Sequence, residues 1–310
     1  MTNLLSITWN VDPTFFTLFG LDIRYYGVLW AVAFMLGIYY FTKFCKHEGL
    51  PDRLVDSMFW CATILAILGA RLGHCLFYEP EVYLADPVRI LNIREGGMAS
   101  HGAAIGFLLG LTIFAVMNKM PWWWGADRIM IPVAIGGAGV RIGNLMNSEI
   151  YGGPTDLPWG FIFQRAGETQ PMHPTQIYEA LCYILVFLIL LWLYFKRDAG
   201  RKHPGLMFGV GLIGIFVARF IIEYIKNDQV GFEEGMRSAI GMNMGQLLSI
   251  PFVVIGIILV VVGLLNKPQH IAWVEAAKQA EARPKAKKVA PPKAKKEHSN
   301  FALIPKTIIR

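Results

Sequence analysis

Charge is scarce in this chain. Asp, Glu, Lys and Arg make up 16% of 310 residues, against about a quarter in ordinary soluble domains, which excludes a conventional water-soluble fold. Cysteine is scarcer still. The four present (Cys45, Cys61, Cys75, Cys182) have no CxxC spacing, fall in or at the end of apolar runs and have no histidine arranged beside them for a metal. They read as core thiols, and neither a disulfide framework nor a metal site is expected. The first residues, MTNLLSITWNVDPTFFTLFG, lack a basic start leading into a compact apolar run, so no cleaved signal peptide is expected. Residues 1–25 are expected to lie along a membrane surface.

What is abundant is apolar surface. Hydrophobic residues are 55% of the chain and aromatic residues 13%. A hydrocarbon core of ~30 Å needs about 20 mainly apolar residues per helical crossing. Seven segments meet that, at 27–45, 54–77, 101–117, 129–146, 176–195, 206–225 and 246–265. The fold class is therefore an all-α integral membrane protein with seven transmembrane helices. Span seven contains no lysine for a Schiff base, which argues against a retinal protein.

Basic residues orient the bundle. The loops 43–53, 118–128 and 196–203 hold Lys43, Lys46, Arg53, Lys119, Arg128, Lys196, Arg197, Arg201 and Lys202, against Arg24, Arg89, Arg94, Arg165, Lys226 and Arg237 on the opposite side. The expected N-terminus is outside and the C-terminus cytoplasmic. The chain divides into residues 1–265 and a tail, 266–310, that holds 11 Lys or Arg and three Glu, net +8, so the preceding part is net −1 and the overall +7 belongs to the tail. Its Ala/Lys/Pro composition reads as a disordered segment drawn to anionic inner-leaflet lipid, with nucleic-acid binding not expected.

Polar groups interrupt this apolar background at one level. The stretch GGAGVRIGNLMNSEIYGG (136–153) closes span four. At 100° per residue, Gly136, Gly139 and Gly143 share one side of that helix within about 60°, a surface suited to close packing, while Arg141, Asn144, Ser148 and Tyr151 lie within an arc of roughly 80° elsewhere. Arg71 near the end of span two and Arg219 in span six reach a similar depth. Tyr26, His101, His173 and Gln176 stand at the starts of the spans running the other way. An intramembrane arginine costs about 2.5–3.5 kcal/mol on insertion scales and is by default functional. Glu223, four residues after Arg219, can pair with it, and Glu149 lies near Arg141. Positive charge remains for an anion, and at this depth the abundant anion is a lipid phosphate, which guanidinium grips with two prongs. Arg71 reads equally as an interface anchor. Ser100 is a suitable N-cap for a helix starting at His101, whose imidazole the helix dipole would keep neutral. A transporter or channel for anionic lipid would use the same arginines, but the inner halves of spans four, six and seven carry no polar path.

The stretches GARLGHCLFY (69–78), GGMASHG (96–102), VRIGNLMNSEIYG (140–152), HPTQIYE (173–179), RFIIEY (219–224) and MNMGQLLSIP (242–251) together resemble the bacterial prolipoprotein diacylglyceryl transferases, in order, from about residue 15 to 265. The resemblance implies a seven-helix enzyme of the bacterial inner membrane, with its site towards the outer leaflet. It would move the diacylglyceryl group of phosphatidylglycerol to the lipobox cysteine of a prolipoprotein and release glycerol 1-phosphate, with no cofactor or metal. Carried onto this chain, it places His101, Arg141, Arg219 and Tyr26 in catalysis. It places Arg141, Asn144, Glu149, Gly152, Gly102, Arg219 and Glu223 on phosphatidylglycerol. His101 is either the base for the incoming thiol or a head-group orienter. Four positions depart from the family: Ile215 stands for a common tyrosine, Lys226 for an arginine, Arg94 for a tryptophan and Ser148 for a glycine.

Overall fold

The computed structural model describes residues 6–92, 96–227 and 241–265, so the tail from 266 and the departure at Arg94 lie outside the described residues. Among the described residues, seven helices are long and apolar enough to cross a membrane. They are α1 (Tyr25–Glu48), α2 (Arg53–Phe77), α4 (Ser100–Met117), α5 (Trp122–Met146), α6 (Thr175–Arg197), α8 (Leu206–Ile222) and α9 (Met244–Leu265). Two short helices, α3 (Pro80–Ala85) and α7 (Ala199–Lys202), lie in connections.

Six of the seven expected spans agree to within three residues at either end. The exception is span four, expected from 129. Its helix begins at Trp122, and Asp127 and Arg128, assigned above to a polar loop, are fully buried inside it. Each has a partner that makes burial tolerable. Asp127 accepts the backbone N–H of Gly205 (2.8 Å) and Phe208 (2.9 Å) at the start of α8, satisfying orphan donors of that helix. Arg128 meets Glu48 at 2.6 Å with no exposure on either side chain, and Glu48 also accepts from Trp124 and Tyr194. Arg128 therefore leaves the loop charge count, which keeps its direction.

Glycines set the helix contacts. On α5, the expected glycine face packs on α1: Cβ atoms added to Gly136 and Gly139 would lie 3.5 Å from Ala33 and 3.8 Å from Leu29, and Gly143 faces the Tyr26 ring. A second small-residue face, Gly102, Gly106 and Gly110 on α4, presses on the backbone of α2 at Gly69, Leu65 and Cys61 so closely that any Cβ there would collide with a carbonyl oxygen.

Residues 6–24 of the N-terminal segment, expected above to lie along a membrane surface, are tied into the fold by strand pairing. Strand β1 (Ile7–Trp9) pairs in parallel with β4 (Phe161–Phe163) in the loop between α5 and α6, and the Trp9 indole donates to Leu145 O (3.0 Å) at the end of α5. Strands β2 (Thr14–Leu18) and β3 (Leu21–Arg24) form a hairpin leading into α1. Backbone groups at an end of the bundle need partners, and strand pairing supplies them.

Candidate active site

The C-terminal ends of α5 and α8 and the first turns of α6 and α9 meet at one end of the bundle, and there the polar groups collect. Asn144 is 4% exposed and Glu223 5%, while Gln176 and Glu179 are fully buried. Buried ionic groups require partners at hydrogen-bond distance, so the contacts define the site.

Arg141 places its Nε on Oε2 of Glu179, one turn into α6, and its Nη1 3.3 Å from Asn144 Oδ1. Asn144 passes its amide N–H to Glu149 Oε1 at 2.8 Å, and Asn147 donates to the same oxygen at 3.1 Å. The Gln176 amide donates to the backbone oxygen of Glu149 at 2.7 Å, tying the end of α5 to the start of α6. Across the cluster, Arg219 stands 4.0 Å from Glu223, the intrahelical pair expected from spacing. Lys226 reaches both carboxylates, Glu179 at 2.8 Å and Glu223 at 3.1 Å. From α9, Gln246 exchanges hydrogen bonds with Asn243, and the Asn243 amide donates to Glu223 at 3.4 Å. The Glu223 carboxyl carbon lies 2.5 Å from where a Cβ on Gly245 would stand, so the bare backbone of α9 makes its room.

Two expectations change here. Glu149 does not face Arg141 directly but accepts from Asn144, and the direct counter-ion of Arg141 is Glu179. The sequence signal for Glu179 is a carboxylate one turn inside an apolar span, the last residue of HPTQIYE. Lys226, noted above only as a departure, is buried in the centre of the cluster.

The remaining expected residues fall into three places. Tyr26 packs its ring on Gly143, two residues beyond Arg141. Gly152 is buried where a Cβ would collide with Ile225 O, and its N–H donates to His173 O at 2.8 Å. Its part is close approach of two backbones, opposite Lys226 in an antiparallel bridge. His101 is exposed at the first turn of α4, Gly102 beside it is sealed into the α2 contact, and among the described residues no hydrogen bond or ion pair joins His101 to the Arg141 cluster. The cap expected of Ser100 is not there: Ser100 is already helical, Ala99 precedes it, and no side chain caps the helix.

Arg71 is not an interface anchor. It is 3% exposed, donates to the backbone oxygens of Arg89, Ile90, Asn92, Gly96 and Gly97, and sits over the Tyr83 ring. It gathers residues 89–92 and 96–97 over the end of α2, and Ala99 N–H donates to Ala70 O at 2.9 Å, fixing where α4 and His101 begin. In the 148–175 loop the His173 imidazole contacts the Tyr178 hydroxyl at 3.3 Å, and burial holds its pKa below the usual value. Ser148 has φ 54°, a left-handed conformation that glycine adopts at little cost, so the departure expected there falls where the backbone favours glycine.

Seven helices able to span a membrane, with carboxylates, amides and a lysine buried at one end beside Arg141 and Arg219, define a multi-pass membrane protein with a polar centre. Comparison with known proteins narrows this. Residues 13–262 match the family described as prolipoprotein diacylglyceryl transferase. Proteins named phosphatidylglycerol–prolipoprotein diacylglyceryl transferase are similar to it in Porphyromonas gingivalis (46% identity, 86% of this chain and 98% of the relative), Tolumonas auensis (43%, 84% and 98%) and Chloroherpeton thalassium (40%, 82% and 93%). The chain belongs to the prolipoprotein diacylglyceryl transferase family.

Proposed function

We propose that this chain transfers the diacylglyceryl group of phosphatidylglycerol to the thiol of a prolipoprotein lipobox cysteine. The sulfur forms a bond to the glyceryl carbon, the bond from that carbon to the phosphate oxygen breaks, and glycerol 1-phosphate leaves with the bonding electron pair. The observation that carries this is the paired placement of Arg141 and Arg219 on two helices around one buried cluster, in a chain of this family.

Negative charge on the departing phosphate grows as the carbon–oxygen bond breaks. Fixed guanidinium donors aimed at it stabilise that charge without reorganising. Arg141 and Arg219 are those donors, with Asn144, Glu149 and Glu223 fixing their geometry and Tyr26 packing behind Arg141. Gly152 and Gly102 serve by close backbone approach. The thiolate is the competent nucleophile, and His101, exposed at the head of α4, takes the thiol proton once substrate bridges it to the arginines. His101 acting instead as an orienter of the head group would leave turnover of a preformed thiolate peptide dependent on it, whereas a base would not.

The test is purified protein with phosphatidylglycerol and a lipobox peptide, following glycerol phosphate release. Folded protein that releases none would favour movement of anionic lipid instead. The site lies towards the outer leaflet of the bacterial inner membrane, with the N-terminus outside and the basic tail on the cytoplasmic side as a lipid-directed tether. Single-cysteine variants should label with an impermeant reagent at 148–175 and not at 196–203 in intact cells; the reverse pattern would invert the site. Truncation after Lys267 should leave turnover in detergent nearly intact, and its complete loss in a folded truncate would end the tether reading.

A further inference from the structure

Two buried ionic groups at the site have no part in the phosphate contacts proposed above. The Glu179 and Lys226 side chains are 0% and 2% exposed. Lys226 Nζ lies 2.8 Å from Oε1 of Glu179 and 3.1 Å from Oε2 of Glu223. Glu179 offers its other oxygen to Arg141, and the Glu223 oxygen that meets Lys226 is the one 4.0 Å from Arg219. The order across the cluster is Arg141, Glu179, Lys226, Glu223, Arg219, with charge alternating at every step.

Three cations and two carboxylates leave a net +1 in this row, which is the charge of one phosphodiester with its sign reversed. Glu149 stands apart from it, exposed and held by Asn144 and Asn147. The two arginines come from different helices, α5 and α8, and their counter-ions from α6 and from the turn after α8. Without a cation between them the two carboxylates, each about 3 Å from one ammonium, would repel across a low-dielectric gap and spread. The backbone holds that cation in place: Lys226 bridges to Gly152, and Ile225 O accepts from Gly153 at 2.9 Å.

We propose that Lys226 and Glu179 are positioning residues, Lys226 tying the two carboxylates together and so setting the spacing of Arg141 and Arg219 around a singly charged phosphodiester. This rests on the phosphatidylglycerol reading above. It separates the departure at Lys226 from a loss of function: an ammonium suffices to bridge two single oxygens, where a planar fork would be needed only to grip a carboxylate edge-on.

The experiment measures kcat and KM for phosphatidylglycerol, with direct binding of that lipid, in Lys226→Met, Lys226→Arg, Glu179→Gln and the double variant Lys226→Met with Glu179→Gln, at equal amounts of folded protein. Lys226→Met and Glu179→Gln should each lower kcat at least tenfold, and Lys226→Arg should recover activity to within about threefold of the natural chain. The double variant removes one charge of each sign and keeps the balance, yet should stay as impaired as the single variants because Arg141 has lost its support. Recovery in the double variant would show that the pair merely neutralises itself, and near-normal kcat in Lys226→Met would show that it sets no spacing; either overturns the proposal. If the folded natural chain releases no glycerol phosphate, the transferase reading fails separately. Lipid affinity then decides the proposal, which requires at least a threefold loss in Lys226→Met.

Discussion

Gly143 and Tyr26 compete for one space: a Cβ on Gly143 would lie 2.5 Å from Cδ2 of the tyrosine ring. The ring lies flush on the backbone of α5, two residues from Arg141, so helix packing and site geometry are one contact there. Gly143→Ala should push the ring away and cost about 1–3 kcal/mol, the scale of overpacking. Gly139→Ala, on the same face, meets nothing closer than 3.8 Å and should be tolerated. Thermal unfolding of both variants in detergent checks this, and equal effects would mean that the two helices adjust to each other freely.

Arg71 holds five backbone oxygens from the 89–97 region. An ammonium has three donors and no fork, so Arg71→Lys leaves at least two of these partly buried oxygens without their charged donor. The expected cost is on the order of 2–3 kcal/mol, the scale of a hydrogen bond to a charged group. It should appear as faster amide exchange over residues 86–92, with phosphatidylglycerol binding little changed. Lost binding with unchanged exchange would move Arg71 from the connection into the lipid site.

Ser148 combines φ 54° with a buried hydroxyl that has no hydrogen-bond partner among the described residues. Ser148→Gly relieves both, and removing a left-handed non-glycine residue should stabilise the protein by about 1 kcal/mol. A raised midpoint of thermal unfolding with turnover retained is the expected result; a lowered midpoint would show that the hydroxyl has a partner the geometry hides.

Arg141 serves Glu179 with one nitrogen and Asn144 with another. Lysine keeps the charge but cannot hold that geometry and also present a second donor to phosphate. Arg141→Lys should lose ~3 kcal/mol of transition-state stabilisation, more than a hundredfold in rate. Turnover at matched membrane abundance, set beside lipid binding, checks it. Near-normal turnover would mean that charge alone is needed at this position.

Some of this was legible in the sequence and some was not, and the division has a physical basis. Apolar run length is local, so the seven spans could be read directly, as could the Gly136, Gly139, Gly143 face and the Arg219 to Glu223 pair, both fixed by helical repeat. The start of α5 could not, because burying Asp127 and Arg128 depends on partners about 80 residues away, Gly205, Phe208 and Glu48. The same reason hid the counter-ion of Arg141. Glu179 lies 38 residues along the chain, on another helix, and no periodicity links them. By itself the sequence determined a membrane bundle with polar groups gathered at one depth, because lipid imposes that on each helix separately. The pairing of charges at that depth was decided by tertiary structure, since a buried charge is satisfied by whichever group the packing of other helices brings within 3 Å.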